Sequence, residues 1–344
     1  MSRYVIVLLW SLILGSSTIW ASADEERPVK MKVVIDNDFC GDPDGLFQLV
    51  HQLMCRTCEV KAIIGGHLTD NAGFTENRDT QATESCEKAN KILELMGLSG
   101  KIKVVPGTQK PMMSVNQPIV SEGAKVIVEE AMKCTPDHPL YVLCGASLSN
   151  IASAYLMNPE IESRIVLIWI GGQEYSDVGA YPPPGYSKVE YNLNLSIPAA
   201  QVIFNQSKIS VWQVPRDVYR QCMYSLDKVR MKIKPCGQIG NYLSEELDRV
   251  VSFIEKYGIP MGEVYIMGDS PLVLLSALQS GFEPDPASSQ YCYLQSPYIN
   301  DDGTYGMNHN GRLIRVYTKV DTRLMFSDFE AKLFLNYNKI NSLK

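Results

Sequence analysis

Residues 33–50 read VVIDNDFCGDPDGLFQLV, and the pattern of this stretch indicates the fold class. Its apolar start leads into a segment with four aspartates: Asp36, Asp38, Asp42 and Asp44. Apolar residues then recur three and four positions apart, which is the spacing of a helix with one buried face. The stretch therefore predicts a buried strand that runs through an acidic loop into a helix.

Strand-like and helical patterns continue to alternate along the chain. The predicted strands are 32–35, 60–64, 102–105, 140–144, 165–170 and 211–214. The predicted helices between them are 46–54, 84–96, 123–132, 149–157 and 199–204. The second half is less regular, with helices predicted at 243–257, 271–278 and 328–337 and a strand at 313–317. This alternation predicts an α/β fold with a mostly parallel central sheet flanked by helices.

Polar clusters follow several of the predicted strands. They are residues 36–44, 67–71, 145–150, 171–175 and 268–269. Ligands of open α/β sheets bind beyond the carboxyl ends of the strands, so the clusters predict a site at that edge. A segment rich in Gly, Pro and Tyr, 173–190, predicts a long loop of the kind that is usually functional or mobile.

The composition is that of an ordinary globular protein, with 344 residues of which 45% are hydrophobic and 20% charged. The net charge of −6 argues against a non-specific nucleic-acid binder, since such proteins are usually basic. Nine cysteines leave at least one unpaired. Cys55 and Cys58 have CxxC spacing without a second such pair, which favours a local disulfide or two free thiols over a zinc site.

Residues 1–23 have the form of a secretory signal peptide. Arg3 precedes an apolar run, and Ala21-Ser22-Ala23 offers small residues for cleavage before an acidic segment. The alternative is an uncleaved anchor, because the apolar character continues to Trp20. No later segment has about 18 continuous apolar residues. We therefore expect residues 24–344 to form one domain that is secreted or periplasmic and makes no membrane contact after cleavage.

The four aspartates call for a chemical explanation. Asp42-Pro43 fits a helix start, with Asp42 as the N-cap and proline at the first helical position. Asp36 and Asp38 would share a face if the strand continued, and Asp44 falls in the first helical turn. Their mutual repulsion is costly unless a cation is present, and ligands with only oxygen donors suit Ca²⁺ or Mg²⁺. The alternative is a solvated acidic loop with one helix cap.

Four segments carry a resemblance to a known family. VVIDNDFCGDPDGLFQL resembles the N-terminal aspartate signature of the inosine–uridine-preferring nucleoside hydrolases, in which Asp-Thr-Asp-Pro-Gly precedes a pair of aspartates. LYVLCGASLSNIASAYLMNPEIESRIVLIWIGG, 140–172, resembles the family's strand–helix–strand run around GPLTNIA. EYNLNLSIPAAQVIF, 190–204, and YIMGDSPLVLLSAL, 265–278, resemble two later family segments in the right order.

The resemblance implies a Ca²⁺-dependent N-ribohydrolase with a Rossmann-like α/β core, the nucleoside hydrolase fold, and a small-molecule nucleoside substrate. By position, Asp38 would bind Ca²⁺ and act as the general base for the attacking water. The other implied metal ligands are Asp42, the backbone carbonyl of Gly145 and Asp269. The implied ribose-binding residues are Asp44, Glu190 and Asn192. The family is often oligomeric, which leaves a homo-oligomer open.

Three departures from the family pattern limit what the resemblance implies. The second of the paired aspartates is Gly45, so one metal ligand is missing and Asp42 is its obvious substitute. The histidine that often precedes the last aspartate is Gly268, so His67, His309 or a tyrosine of 173–190 would have to assist the leaving base. The aspartate that precedes the proline of the third segment is Ser196, which we expect to act as a helix cap.

Other functions fit the sequence to different degrees. Gly145-Ala-Ser147-Leu-Ser149 lacks the last glycine of a serine-hydrolase turn, so Ser147 is not predicted to be a nucleophile. The same fold and metal site could act on another riboside or glycoside. A non-catalytic nucleoside- or sugar-binding protein is the third possibility, and Gly45 and Gly268 are the residues that motivate it.

Overall fold

A computed structural model describes residues 31–69, 79–282 and 288–342, with side chains described as far as residue 338. The predicted signal peptide, 1–23, lies outside these residues. The strands are β1 (Met31–Asn37), β2 (Cys58–Gly65), β3 (Lys103–Pro106), β4 (Leu140–Cys144), β5 (Ile165–Ile170), β6 (Ser210–Val214), β7 (Met223–Ser225), β8 (Val264–Ile266), β9 (Gln290–Gln295), β10 (Tyr298–Ile299), β11 (Tyr305–Gly306) and β12 (Leu313–Lys319).

The α-helices alternate with the strands in the first half of the chain and become irregular after β6. They are α1 (Asp44–Leu53), α2 (Gln81–Leu95), α3 (Glu122–Met132), α4 (Ser149–Met157), α5 (Tyr191–Asn194), α6 (Ile197–Gln201), α7 (Arg216–Tyr219), α8 (Leu226–Lys228), α9 (Gly237–Lys256), α10 (Pro271–Ala277) and α11 (Thr322–Ser342).

The central sheet has eight strands in the order β3-β2-β1-β4-β5-β6-β12-β9. Every neighbouring pair is parallel except β12 and β9, which run antiparallel at one edge. The strand order reverses between β1 and β4, where Asp36 lies opposite Cys144. Loops that leave neighbouring strands in opposite directions open a crevice at such a point. The predicted α/β fold with a mostly parallel sheet is confirmed.

The sheet is covered on both faces, which explains why its inner strands read as continuous apolar runs. One hydrophobic core includes Phe47, Leu93, Leu247 and Phe329, and thus joins α1, α2, α9 and α11 to one face. The other core includes Ile127, Ile151 and Ile203 against the opposite face. All nine cysteines are free thiols, including Cys55 and Cys58. Within the described residues, the helices are too short or too polar to cross a membrane.

Three local predictions differ from the structure. Helix α1 begins at Asp44, so the predicted N-cap role of Asp42 is wrong; Pro43 holds the cap position, and its carbonyl accepts from Leu46 N. Helix α11 begins earlier than predicted because Asp321 Oδ1 accepts a bond from Leu324 N. The edge strand β9 was missed, since its partly exposed residues carry no clear alternation. Ser196 does cap α6, as expected, through a 3.4 Å bond from Ala199 N.

Candidate active site

A cavity of about 770 Å³ opens at the carboxyl edge of the sheet, where the strand order reverses. That volume is typical of small-molecule sites. All seven residues that the sequence analysis assigned to a site line this cavity: Asp38, Asp42, Asp44, Gly145, Glu190, Asn192 and Asp269. They come from loops that are far apart in sequence, and the parallel sheet brings those loops to one edge.

The loop after β1 forms the acidic wall of the cavity. β1 ends at Asn37, so Asp36 and Asp38 do not share a face of the strand. The Asp36 carboxylate is fully buried and accepts from Asn150 Nδ2 at 2.9 Å, and burial raises its pKa to about 7. Asp38 follows the strand and lines the cavity, with its backbone N–H held at 2.9 Å by Asn37 Oδ1. Asp38 is thus the member of this pair that faces a ligand.

Asp44 joins the first turn of α1 to the segment before α10. Its Oδ2 accepts from Asp269 N at 3.1 Å, and its Oδ1 accepts from Gly45 N at 2.8 Å. Asp269 is 4% exposed, and its Oδ2 accepts from Asn37 Nδ2 at 2.8 Å. These bonds fix both carboxylates against the cavity from elements more than two hundred residues apart in the chain.

The acidic wall is electrostatically unfavourable for the protein alone. Burial raises the pKa of Asp38 well above its usual range, and the charges of Asp269 and Asp42 raise it further. The pKa of Asp44 is raised in the same way, first by burial and then by Asp269. Burial also raises the pKa of Asp269 to about 8, despite the opposing bond from Asn37. Like charges raise each other's pKa in this manner, and a bound cation relieves the repulsion.

The donors at this wall fit a hard divalent cation in their chemistry, because all of them are oxygens. Asp38, Asp42, Asp44 and Asp269 offer carboxylates, and Gly145 offers a carbonyl that Asn192 Nδ2 contacts at 3.1 Å. Within the described residues, three ligand atoms converge within 4.8 Å only in a different set, His51, Cys55 and Asp328. The acidic wall is therefore an open half-shell, whose cation would need ligands from water or substrate.

Gly45 accounts for part of this openness. A Cβ at that position would lie 2.9 Å from Asn37 Nδ2, closer than side chains approach. The Asn37 side chain thus fills the space into which a residue at 45 would extend. The absence of the family's second aspartate and the presence of Asn37 therefore go together, because Asn37 occupies the space that an aspartate at 45 would need.

Glu190 and Asn192 form the wall next to the acidic one. Glu190 is 1% exposed and accepts three bonds, from Gly172 N at 2.8 Å, Leu193 N at 3.0 Å and the Tyr219 hydroxyl at 2.9 Å. Gly172 has φ +85°, and a Cβ there would lie 2.1 Å from Gln213 Nε2, so glycine is required for this approach. Burial still raises the pKa of Glu190. Asn192 Nδ2 donates to the carbonyls of Gly145 and Ile170, so the two side chains present fixed oxygen acceptors suited to hydroxyl groups.

The far end of the cavity is mostly apolar. Its lining is Tyr186, Arg220, Met223, Ile254, Met261, Val264 and Ile266. Tyr265 also lines the cavity, but it interacts with Asp42 and so lies beside the acidic wall. Met223 of β7 pairs with Ile266 of β8, so this small antiparallel ladder forms the floor of the apolar end. A cavity with an acidic, hydroxyl-binding end and an apolar, aromatic end suits a sugar joined to a flat heterocycle.

The leaving-group candidates named from the sequence are separated by the structure. His67 is buried behind the site, where Nε2 lies 3.1 Å from Ser149 Oγ and Nδ1 lies 3.1 Å from the Leu68 carbonyl. His309 is exposed, and its carbonyl accepts from Gln295 on the edge strand β9. Of the described tyrosines in 173–190, Tyr186 lines the cavity, whereas Tyr175 is buried against Gln213.

Three residues of the site were missed by the sequence analysis. Asn37 lies between two aspartates and was not predicted to belong to the site, although it donates a hydrogen bond to Asp269. Tyr219 and Arg220 follow β6, and the rule that sites form after strand ends could have identified them.

The comparisons with known proteins agree with this geometry. A profile of the family described as "Inosine-uridine preferring nucleoside hydrolase" matches residues 33–325, which is most of the chain. The chain belongs to this nucleoside hydrolase family. Nucleoside hydrolases are glycosidases that act on N-glycosyl compounds, and the family assignment covers every residue that lines the cavity. A search of characterised proteins by sequence gives no significant match.

Solved nucleoside hydrolase structures share the fold. A plant nucleoside hydrolase, the PpNRh1 enzyme, is 15% identical with a TM-score of 0.68, over 89% of this chain and 99% of that one. A purine-preferring ribonucleoside hydrolase from Gardnerella vaginalis is 15% identical with a TM-score of 0.66, over 89% and 99%. An inosine-uridine preferring nucleoside hydrolase from Bacillus anthracis is 14% identical with a TM-score of 0.62, over 88% and 99%.

Proposed function

We propose that the protein hydrolyses the N-glycosidic bond of ribonucleosides to give ribose and a free base, with Ca²⁺ as its metal. The observation that carries the proposal is the division of one cavity into two ends. One end holds Asp38, Asp44 and Asp269, with raised carboxylate pKa values, and the other end is apolar and aromatic.

Asp38 is the proposed general base. It lines the cavity beside Asp42, Asp44 and Asp269, and among the described residues no other side chain donates a hydrogen bond to its carboxylate. A bound Ca²⁺ would lower the pKa of an adjacent water and orient it. Asp38 accepts a proton from the attacking water as the water oxygen bonds to the anomeric carbon. The C–N bond breaks as the new C–O bond forms, and the electron pair leaves with the base.

The remaining acidic side chains act on the sugar. The ribosyl group acquires positive charge as the bond to the base breaks, and nearby carboxylates stabilise such a state. Asp44, Glu190 and Asn192 would hold the ribose hydroxyls, since each is fixed by bonds to other parts of the site. Asp42, Asp269 and the Gly145 carbonyl complete the proposed metal-binding residues together with Asp38.

A panel of ribosides tests the proposed activity. Protein treated with a chelator and then reloaded with Ca²⁺ is incubated with inosine, uridine, adenosine and cytidine, and free ribose is measured. The proposal predicts base and ribose in equal amounts, with turnover lost on chelation and restored by Ca²⁺. Release from other ribosides, with none from nucleosides, would favour the alternative substrate class.

The non-catalytic alternative makes a different prediction. Gly45 stands where the family pattern has an aspartate, and Gly268 stands where it often has a histidine. A binding protein would take up ribose or a nucleoside in the presence of Ca²⁺, as measured by calorimetry, without product after hours of incubation. Equal amounts of ribose and base above the uncatalysed rate would eliminate this alternative.

We also propose that the protein is exported and then free of its N-terminal segment. The support is the signal-peptide form of residues 1–23. N-terminal sequencing of the mature protein should begin at Asp24. A mature chain that begins at Met1 or Ser2 would contradict export by cleavage.

A further inference from the structure

Among the described residues that line the apolar end of the cavity, one side chain is cationic, and its position bears on how the base leaves. Gly268 packs against the acidic wall and Tyr219: a Cβ there would lie 3.2 Å from Asp44 Oδ2 and 3.4 Å from Tyr219 Cδ2. Arg220 follows Tyr219 directly and lines the same cavity, next to Met223. Gly268, where the family pattern often has a histidine, therefore packs against Tyr219, and Arg220 is the next residue along the chain.

Two arginines contact the Tyr186 ring, but only one of them is already paired. The guanidinium of Arg216 lies 5.2 Å from the ring centroid and binds Glu174 through two bonds of 2.7 Å. The guanidinium of Arg220 lies 4.4 Å from the same centroid. Within the described part of the chain, Arg220 makes no ion pair, and its Nε is buried without a hydrogen-bond partner. Arg220 thus has unused donors.

The surroundings hold Arg220 in place without neutralising it. Stacking on Tyr186 favours one orientation of the planar group. Arg216 keeps the Tyr186 segment near α7, because its Nη1 donates to the Ser187 carbonyl at 2.9 Å. Burial opposes ionisation of Glu174, but the bond from Arg216 and, last, the charge of Arg220 lower its pKa. Burial raises the pKa of Asp217, and the charge of Arg220 is the smallest of the effects that oppose this rise.

We propose that Arg220 is a catalytic residue that stabilises the departing base by donating hydrogen bonds to it. This inference rests on the proposed nucleoside hydrolysis. When the C–N bond breaks, the electron pair moves onto the base, where a ring nitrogen or carbonyl oxygen gains negative charge. The guanidinium donates to that atom and keeps its own proton, since arginine is not deprotonated in proteins. The base then takes a proton from solvent.

This mechanism differs from proton transfer by a histidine in what it demands of the leaving group. A base that gains charge on a carbonyl oxygen, as in uracil or hypoxanthine, offers the acceptor that a guanidinium prefers. A leaving group that is already a stable anion needs no such help. Nitrophenolate is one, so 4-nitrophenyl β-D-ribofuranoside should depend little on Arg220.

The test compares these two leaving groups in Arg220→Gln and Arg220→Lys. For uridine, Arg220→Gln should lower kcat by about 10²-fold, the effect of removing one donor to a developing anion. Arg220→Lys should lower kcat less, because it keeps the charge but loses the planar fork. For the nitrophenyl riboside, the kcat of both variants should stay within about threefold of the wild-type value, a much smaller change than the one expected for uridine. Arg323→Gln, at an arginine that is 85% exposed, is the matched control and should match the wild type on both substrates.

Each other outcome would contradict either the role of Arg220 or the proposed function. Equal losses on both substrates, in variants with an unchanged thermal midpoint, would mean that Arg220 acts on the ribose rather than on the base. Unchanged uridine turnover would overturn its role altogether. A wild-type preference for uridine 5′-monophosphate that Arg220→Gln alone removes would assign the guanidinium to a phosphate. If the wild type cleaves neither substrate, the proposed function itself fails.

Discussion

Asn37 Nδ2 donates a 2.8 Å hydrogen bond to Asp269 Oδ2 and so joins the end of β1 to the segment before α10. The pair is packed closely against Gly145, where a Cβ would lie 2.6 Å from Asn37 Nδ2 and 2.7 Å from Asp269 Oδ1. One amide therefore orients a proposed metal ligand, fills the space beside Gly45 and requires glycine at 145. In this chain Asn37 supports the acidic wall where the family pattern has threonine and a further aspartate.

The link between Asn37 and Gly45 predicts a non-additive pair of substitutions. Gly45→Asp alone should crowd Asn37 and lower the free energy of unfolding by about 1–3 kcal/mol. Asn37→Thr alone should weaken Ca²⁺ binding about tenfold, because Asp269 loses the donor that orients it. The double variant should bind Ca²⁺ more tightly than either single variant, since the shorter side chain leaves room for the added carboxylate.

Calorimetric Ca²⁺ titrations and thermal unfolding of the four proteins measure this coupling. Asn90→Thr, at an exposed position on α2, serves as the control for the asparagine change. Strictly additive effects of the two substitutions would show that Asn37 and Gly45 are independent, contrary to their 2.9 Å approach.

The raised carboxylate pKa values predict how Ca²⁺ changes stability with pH. Because the pKa of Asp269 is about 8 and those of Asp38 and Asp44 are also raised, the metal-free native protein retains protons that the unfolded chain releases above about pH 4. The contribution of these retained protons to the free energy of unfolding is present in full below about pH 4 and is lost as pH rises towards 8. Calcium requires the deprotonated carboxylates, so its stabilising effect should increase over the same range.

Thermal melts with Ca²⁺ or with a chelator, at about pH 5 and about pH 8, measure the prediction. The increase in Tm caused by Ca²⁺ should be larger at the higher pH. In Asp269→Asn this pH dependence should become smaller, because one titrating ligand is gone. An increase in Tm that is equal at both pH values, or larger at the lower one, would be inconsistent with metal binding at these carboxylates.

Tyr219 predicts a separation between substrate binding and catalysis. Its hydroxyl donates one of the three bonds that Glu190 accepts, and the other two come from the backbone. Tyr219→Phe should therefore leave Glu190 in place but freer to move, which raises KM about tenfold or less with a smaller effect on kcat. Steady-state kinetics with uridine checks this, with Tyr257→Phe at an exposed site as the control. A loss confined to kcat would place Tyr219 in the chemical step.

The residues that the sequence analysis assigned to one site, and that the structure brings to one cavity, follow strand ends in recognisable segments. Asp38 and Gly145 follow β1 and β4, which are neighbours in a parallel sheet, so their proximity follows from topology. The pairings within the site could not be predicted in this way. Asn37 and Asp269 are 232 residues apart, and only the packing of α1 against α10 brings them together.

The errors have equally local causes. Asp42-Pro43 has the composition of a helix start, but the helix begins one residue later than predicted, at Asp44, and leaves the Asp42 side chain exposed at the cavity. The strand β9 lies at the sheet edge with one neighbour, so its side chains are only partly buried and show no period of two. Arg220 follows β6, so its place near the site follows from topology, but its contact with Tyr186 and its unpartnered Nε are visible only in the structure.

The most direct test of the account is the rate of ribose release from Ca²⁺-loaded protein by the wild type and Asp38→Asn. The change keeps the size of the side chain and removes the proposed base, so release from inosine and uridine should fall by at least about 10³-fold. Asp137→Asn, at an exposed turn, should release ribose at the wild-type rate. Release by Asp38→Asn at the wild-type rate, with its thermal midpoint unchanged, would contradict the mechanism.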